Sequence, residues 1–372
     1  MKKNLFITGI FLLLSSVTVL FAQKPTQPAP KKSLIGDYLS IGGYINSQYS
    51  FESQKLNDGT LDESNTFQIR RARLDIKGNI TKNIEFRLQG DFTKSAALVD
   101  AFVKVKFNPY INVQVGQFKI PFSIENPYAP LDLEAIDNAQ VINALSGFSD
   151  VSGNGNYKFG REIGVMLYGG FINMETFGKK FQLFNYSVGV FNGAGINTKD
   201  NNKTKDIAGR LELHPWIKEL VLAGSMYIGE YQTTNNENAV RNRYGIGGEY
   251  KNNHLVVRSE YLWGVTGMDN TDEFTLAEGK LVNDQKSDGF YAIAAYVFNV
   301  GKEGKQTIAP VVRYDYYNSN TDLTETTSTY YMLGLDWWPE KHLRFQLNYT
   351  LKDNGNNDNL GHAVAAMLSV KF

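Results

Sequence analysis

The sequence predicts an all-β chain that closes into an antiparallel transmembrane β-barrel of about sixteen strands. Three observations carry this expectation. Charged and apolar residues alternate strictly over long stretches, short and long connections alternate between those stretches, and the N-terminus has the make-up of an export signal.

The alternation is clearest between Phe67 and Phe107. In NIEFRLQGDF, Asn83, Glu85, Arg87, Gln89 and Asp91 share one face, and Ile84, Phe86, Leu88, Gly90 and Phe92 share the other. Just before it, RRARLDIKG sets Arg71, Arg73, Asp75 and Lys77 against Ala72, Leu74 and Ile76. Period two is the period of a β-strand. A soluble sandwich rarely combines so charged a face with so bare a hydrocarbon one, whereas a barrel with lipid outside and water inside needs both.

The N-terminus carries Lys2 and Lys3, an apolar run from Leu5 to Leu20, and Ala22 before Gln23, which reads as a signal peptide over residues 1–22. An uncleaved anchor is the rival reading, and no cysteine is present to be lipidated. Residues 23–35 begin with the Pro-rich, basic QKPTQPAPKKS and read as a periplasmic leader, leaving 36–372 for the barrel. Without Lys2 and Lys3, 36 of the 38 basic residues face 38 acidic ones, a net charge of −2 that argues against a nucleic-acid partner. With no cysteine, no disulfide holds the fold. After the signal no run of about 18 apolar residues follows, so a transmembrane helix is not expected.

Strands are expected at 37–52, 65–79, 83–93, 98–107, 111–119, 160–169, 181–192, 205–214, 218–230, 241–251, 254–265, 287–299, 306–318, 328–337, 343–353 and 361–372. Short connections with turn chemistry fall at 80–83, 108–110, 214–219, 251–254 and 338–342. Long ones fall at 53–64, 120–159, 193–204, 231–240, 266–286, 319–327 and 354–360, and only 94–97 is short on the long side. This is the outer-membrane arrangement, with short periplasmic turns, long external loops and both termini in the periplasm. Tyr110, Trp216, Trp337 and Trp338 on the short-turn side fit an aromatic girdle, and the aromatic end at Phe372 fits a barrel-assembly signal.

The runs FQIRRARLDIKG (67–78), IEFRLQGDF (84–92) and VQVGQFKIPFSIE (113–125), with RYD at 313–315, resemble the phosphate-selective porin O and P family. The resemblance covers the chain from about Gly36 and is most specific between Phe67 and Glu125. It implies an outer-membrane porin of sixteen strands, a homotrimer in the lipid of the outer membrane, that passes small polar or anionic solutes by diffusion. Some members select phosphate with lumen arginines and a lysine cluster.

Residues 120–159 are too long for an ordinary connection. In porins of this kind such a loop folds inward and narrows the pore, and DLEAIDNAQVINAL could hold a short helix. An external loop with no role in the pore is the alternative. From Phe122 to Tyr157 the loop has no Lys or Arg but carries Glu125, Asp132, Glu134, Asp137 and Asp150. By alternation Arg71, Arg73, Lys77, Arg87, Lys104 and Lys106 face the lumen, with Lys119 at the base of the loop. An acidic loop opposite this basic wall would set a transverse field across the pore and weaken any phosphate preference. Pairing of the wall cations with Asp75, Glu85, Asp91 and Asp100 is compatible with that. Arg70, of opposite parity to Arg71, is expected to snorkel outward or to sit above the lipid. On the far wall Arg210 with Glu212, Arg243 with Glu249, Arg258 with Glu260 and Arg313 with Asp315 read as a solvated, neutral lumen.

Other readings are weaker. His214, His254 and His342 lie at turns and His362 opens the last strand, which gives neither a catalytic base nor a metal site. The Asn/Asp-rich loops at 197–206 and 353–359 lack calcium-loop spacing, and no cofactor is expected. Gly245 to Gly248 lie inside a strand, where they would make room for an aromatic neighbour. A plugged active transporter would need about 22 strands. A barrel adhesin with an occluded lumen remains the rival from another class.

Overall fold

The structure is a computed structural model that describes residues 38–56, 59–93, 98–148, 160–233, 236–267, 284–301, 304–355 and 360–372. The expected signal peptide, the whole leader, the 94–97 connection and Asp150 lie outside these residues.

The strands are β1 (Leu39–Lys55), β2 (Leu61–Thr81), β3 (Ile84–Asp91), β4 (Leu98–Lys106), β5 (Asn112–Lys119), β6 (Arg161–Thr176), β7 (Lys179–Phe191) and β8 (Asp206–Leu213). They continue as β9 (Leu220–Gln232), β10 (Asn238–Lys251), β11 (Leu255–Gly267), β12 (Asp284–Tyr296, resumed as Phe298–Val300), β13 (Gln306–Asn318), β14 (Thr327–Glu340), β15 (Leu343–Asp353) and β16 (Gly361–Lys371). Both pieces of β12 pair with β13, so they form one barrel strand broken at Val297. Every strand pairs antiparallel with its neighbours in sequence, and β16 returns to β1 from Tyr44↔Lys371 to Ser53↔His362. The result is a closed barrel of sixteen strands, which leaves no sheet edge to be satisfied in lipid.

Each expected strand has its counterpart, but several run longer. β2 begins at Leu61 with the polar stretch LDESNT, and β6 and β7 extend to Thr176 and from Lys179. Strands that continue beyond the hydrocarbon have water on both faces, so their alternation disappears although their pairing does not. The β6–β7 turn is only Phe177–Gly178, with φ of 52° and 72°. Two positive φ values are what a tight hairpin needs to follow the strand twist.

The outer face is apolar and open: Ile41, Leu88, Val115, Leu167, Leu211, Ile246, Leu333 and Leu347 are all exposed. The inner face is polar and enclosed, with Asn46, Gln89, Asp91, Asp100, Arg258 and Asp315 buried. This inversion of a soluble protein is the physical signature of a barrel in lipid.

Two side chains depart from the expected faces, and one expected space is filled differently. A bulge in β2 opposite Asn46 and Ser47 leaves Arg70 outside the pairing register, between Ile69, which pairs with Ser47, and Arg71, which pairs with Asn46. Arg70 therefore turns inward and donates to Gln48 Oε1 at 2.8 Å, rather than snorkelling outward. Trp338 leaves the girdle side and stacks under Arg344, 4.6 Å from its guanidinium, while Tyr110, Trp216 and Trp337 stay exposed. The space at Gly245 and Gly247 serves Leu262 and Glu260, not an aromatic ring: a Cβ would lie 2.3 Å from Leu262 Cδ2 and 2.7 Å from Glu260 Cγ.

Candidate pore constriction

After β5 the chain makes a 3₁₀ turn at Pro130–Asp132 and a short helix, α1, at Gln140–Leu145. Its apolar residues Ile120, Phe122, Ala135, Ala139, Val141, Ile142 and Leu145 are buried in one cluster with inward-facing Ala208, Tyr227, Leu262, Tyr291, Ile293, Val311 and Met332. Small wall residues make the seat possible. A Cβ on Gly289 would stand 2.7 Å from Val141 Cβ, and Ser225 Oγ accepts the Ser123 N–H at 3.1 Å.

Polar contacts fix the segment along its length. Ser123 has φ of 68°, which turns successive donors onto one carboxylate. Glu260 accepts from Ser123 Oγ (3.0 Å), Ile124 N (2.6 Å) and Glu125 N (3.0 Å), and from Tyr291 Oη at 2.7 Å. Arg344 donates to Leu131 O and Leu133 O at 2.8 and 2.7 Å, Asn348 accepts from Ile136 N, and Asp315 accepts from Gln140 N at 3.1 Å. Lys119 donates to the carbonyls of Asn126 and Tyr128 at 2.5 Å each. These partners belong to β5, β11, β12, β13 and β15.

The carboxylates of the segment are distributed unequally. Glu125 and Glu134 turn away from the basic wall and meet Arg258, at 3.3 and 2.8 Å. Arg258 also pairs with Glu249 at 2.9 Å, and Lys251 adds a second cation 3.1 Å from Glu134. Asp137 pairs with Arg70, while its carbonyl accepts from Arg313 at 2.6 Å. Asp132 is exposed and, among the described residues, forms no ion pair; it is the carboxylate of the segment that lines the open space. The far wall is thus the seat of the segment and not a solvated neutral surface. Of the expected far-wall pairs, Arg210 with Glu212 forms at 2.8 Å and Arg313 with Asp315 at 3.4 Å, but Arg258 turns from Glu260 to the loop.

Burial alone would raise the Glu134 carboxyl, but Arg258 and Lys251 outweigh it and hold the group below the ordinary value of 4.5. A depressed carboxylate adds stability that is complete above its unfolded value and is lost as pH falls through the folded one. Glu134→Gln should therefore make the segment more susceptible to protease than wild type near neutral pH. The two should converge progressively below pH 4.5. A difference independent of pH would show that the charge of Glu134 does not hold the segment.

Opposite the segment, the wall of β1 to β6 borders an open space of 510 Å³. Four of the expected basic residues are paired: Arg73 with Asp91 (2.9 Å), Lys77 with Asp75 (3.0 Å), Arg87 with Asp75 and Asp100 (2.8 and 3.2 Å), and Lys106 with Glu85. Arg71 and Lys104 form no ion pair among the described residues, and Arg71 Nη1 has no hydrogen-bond partner. The Lys104 ammonium lies 5.5 and 5.7 Å from the ring centres of Phe102 and Tyr168. Arg161, absent from the expected wall, joins it through Asp100 at 2.6 Å. The lining carries the cations Arg73, Lys77, Arg87, Lys104, Lys119, Arg161 and Lys371 against three aspartates, Asp75, Asp100 and Asp132.

Sequence reasoning missed Arg161, Arg344 and the role of Arg258 and Glu260. The available signal was the density of inward-facing charge on β11 to β15, too high for a wall that only touches water.

A family model, phosphate-selective porin O and P, matches residues 41–372. The chain belongs to this porin family. Solved porin structures have the same fold. The anion-selective porin from Comamonas acidovorans matches with a TM-score of 0.63 at 13% identity, covering 90% of this chain and 99% of that one. The outer membrane channel DcaP of Acinetobacter baumannii gives 0.60 at 11% identity, covering 93% and 100%. OmpT of Vibrio cholerae in its trimer form gives 0.53 at 11% identity, covering 90% and 100%. A search of curated proteins returned no match. The porin is an outer-membrane channel, and family and fold point to transport and not to an enzyme.

Proposed function

We propose that this porin passes small solutes by passive diffusion with a preference for anions, through a constriction between residues 127–132 and the wall of β1 to β6. The observation that carries this reading is the division of charge. The carboxylates Glu125 and Glu134 are paired with Arg258, on the side of the segment away from the space, while Lys104 keeps its charge toward the lumen. The transverse field expected from an acidic loop is thereby reduced to Asp132, and the basic wall governs. Phosphate, named in the family description, is one candidate anion. A segment at residues 1–22 would direct export and be removed, residues 23–35 would form a leader, and both termini would lie in the periplasm. The assembly proposed is a homotrimer, as in the trimer form of the OmpT relative.

Planar bilayers test the reading. Purified protein should give open channels, and a KCl gradient should give a reversal potential displaced toward that of chloride. A potential displaced toward potassium would overturn the anion preference. Folded protein without channels would favour an adhesin.

A further inference from the structure

We propose that the constriction favours small organic monoanions with an apolar body over inorganic phosphate. This rests on the anion preference argued above and adds the class of anion.

The two sides of the space differ in kind. Its wall side holds Lys104 beside Phe102 and Met166; its loop side is Pro127, Ala129, Pro130 and Leu131, with Asp132 at the end. A hydrated phosphate is a compact oxyanion that needs donors around all its oxygens once water is stripped away. The loop side offers few. Pro127 and Pro130 have no N–H, and the N–H groups of Tyr128 and Asp132 already donate to Glu125 O and Ala129 O at 3.0 and 2.8 Å. The wall donors are largely engaged as well: Lys119 with two carbonyls, Arg73 with Asp91, Arg87 with Asp75 and Asp100.

An anion with an apolar body meets no such deficit. Its charged end faces Lys104, which has no carboxylate partner among the described residues, and its body removes the apolar loop edge from water. The exposed carboxylate of Asp132 repels a second negative charge and so disfavours dianions.

The test compares benzenesulfonate, methanesulfonate and inorganic phosphate against chloride in bilayer reversal-potential measurements. Both sulfonates stay ionised at neutral pH, so neither crosses the lipid as a neutral acid. Sieving alone favours the smaller methanesulfonate. The proposal expects benzenesulfonate to be more permeant than methanesulfonate by about threefold, and more than phosphate. It also expects Leu131→Asn to reverse the order of the two sulfonates. Methanesulfonate or phosphate ahead of benzenesulfonate in the wild-type channel would overturn it, whatever the variant does. The KCl gradient, run in the same bilayer, separates this outcome from failure of the anion preference itself.

Discussion

Arg258→Ala is expected to unseat residues 120–148 from the barrel wall and to raise single-channel conductance. The guanidinium of Arg258 is buried and meets Glu125, Glu134 and Glu249 within 3.3 Å, with the ring of Tyr128 centred 5.0 Å away. Removing it takes the cation from three buried carboxylates, of which Glu134 keeps an ion pair, with Lys251, among the described residues. Breaking a buried ion pair from one side costs about 3–5 kcal/mol, which shifts the seated fraction by about 100-fold or more. The barrel itself does not depend on this cluster, because its strands are held by a closed ladder of backbone hydrogen bonds. The variant should therefore still insert, with larger and noisier currents and faster cleavage of the segment by protease. Arg258→Lys should fall between, since an ammonium cannot reach three carboxylates in the planar geometry of a guanidinium. Wild-type conductance in a well-folded Arg258→Ala channel would mean that the segment does not limit the pore.

The second large effect is on selectivity. Lys104→Gln should lower the chloride-to-potassium permeability ratio by about 30-fold, because one unit charge at about 4 Å in water favours the anion by about 1 kcal/mol, about fivefold, and disfavours the cation by as much. The reason is that Lys104 faces the lumen without a carboxylate among the described residues, so its charge is felt by a passing ion. Glu134→Gln makes the informative contrast. Glu134 has the same size of charge but lies against Arg258 and Lys251, on the far side of the segment from the space. Its removal should leave the ratio nearly unchanged. Equal effects of the two variants, measured by reversal potential in a KCl gradient, would place the segment's carboxylates in the ion path and restore the transverse field as the governing feature.

The alternation in the sequence was enough to assign most of the wall. Gln89, Asp91 and Asp100 are inside, and Leu88 and Val103 are outside, as period two requires. It failed at Arg70 because a bulge shifts parity by one residue, and the bulge is set by pairing with β1, not by any local residue pattern. It also fell short in strand length at β2 and β6, where the strands leave the lipid and the outer face no longer has to be apolar.

By itself the sequence determined the barrel, the alternation of turns and loops, and which residues of most strands face inward. These follow from local rules: period two, turn chemistry, and the need to show hydrocarbon to lipid and charge to water. Only the tertiary structure decided which carboxylates meet the pore. The contact between Glu125 and Arg258 joins residues 133 apart in the chain, and no local pattern encodes it. Burial drives that choice. A carboxylate pressed against the inner wall must find a cation there, and Arg258 lies where Glu125 and Glu134 arrive, so the segment turns its charge to the far wall and its prolines to the space.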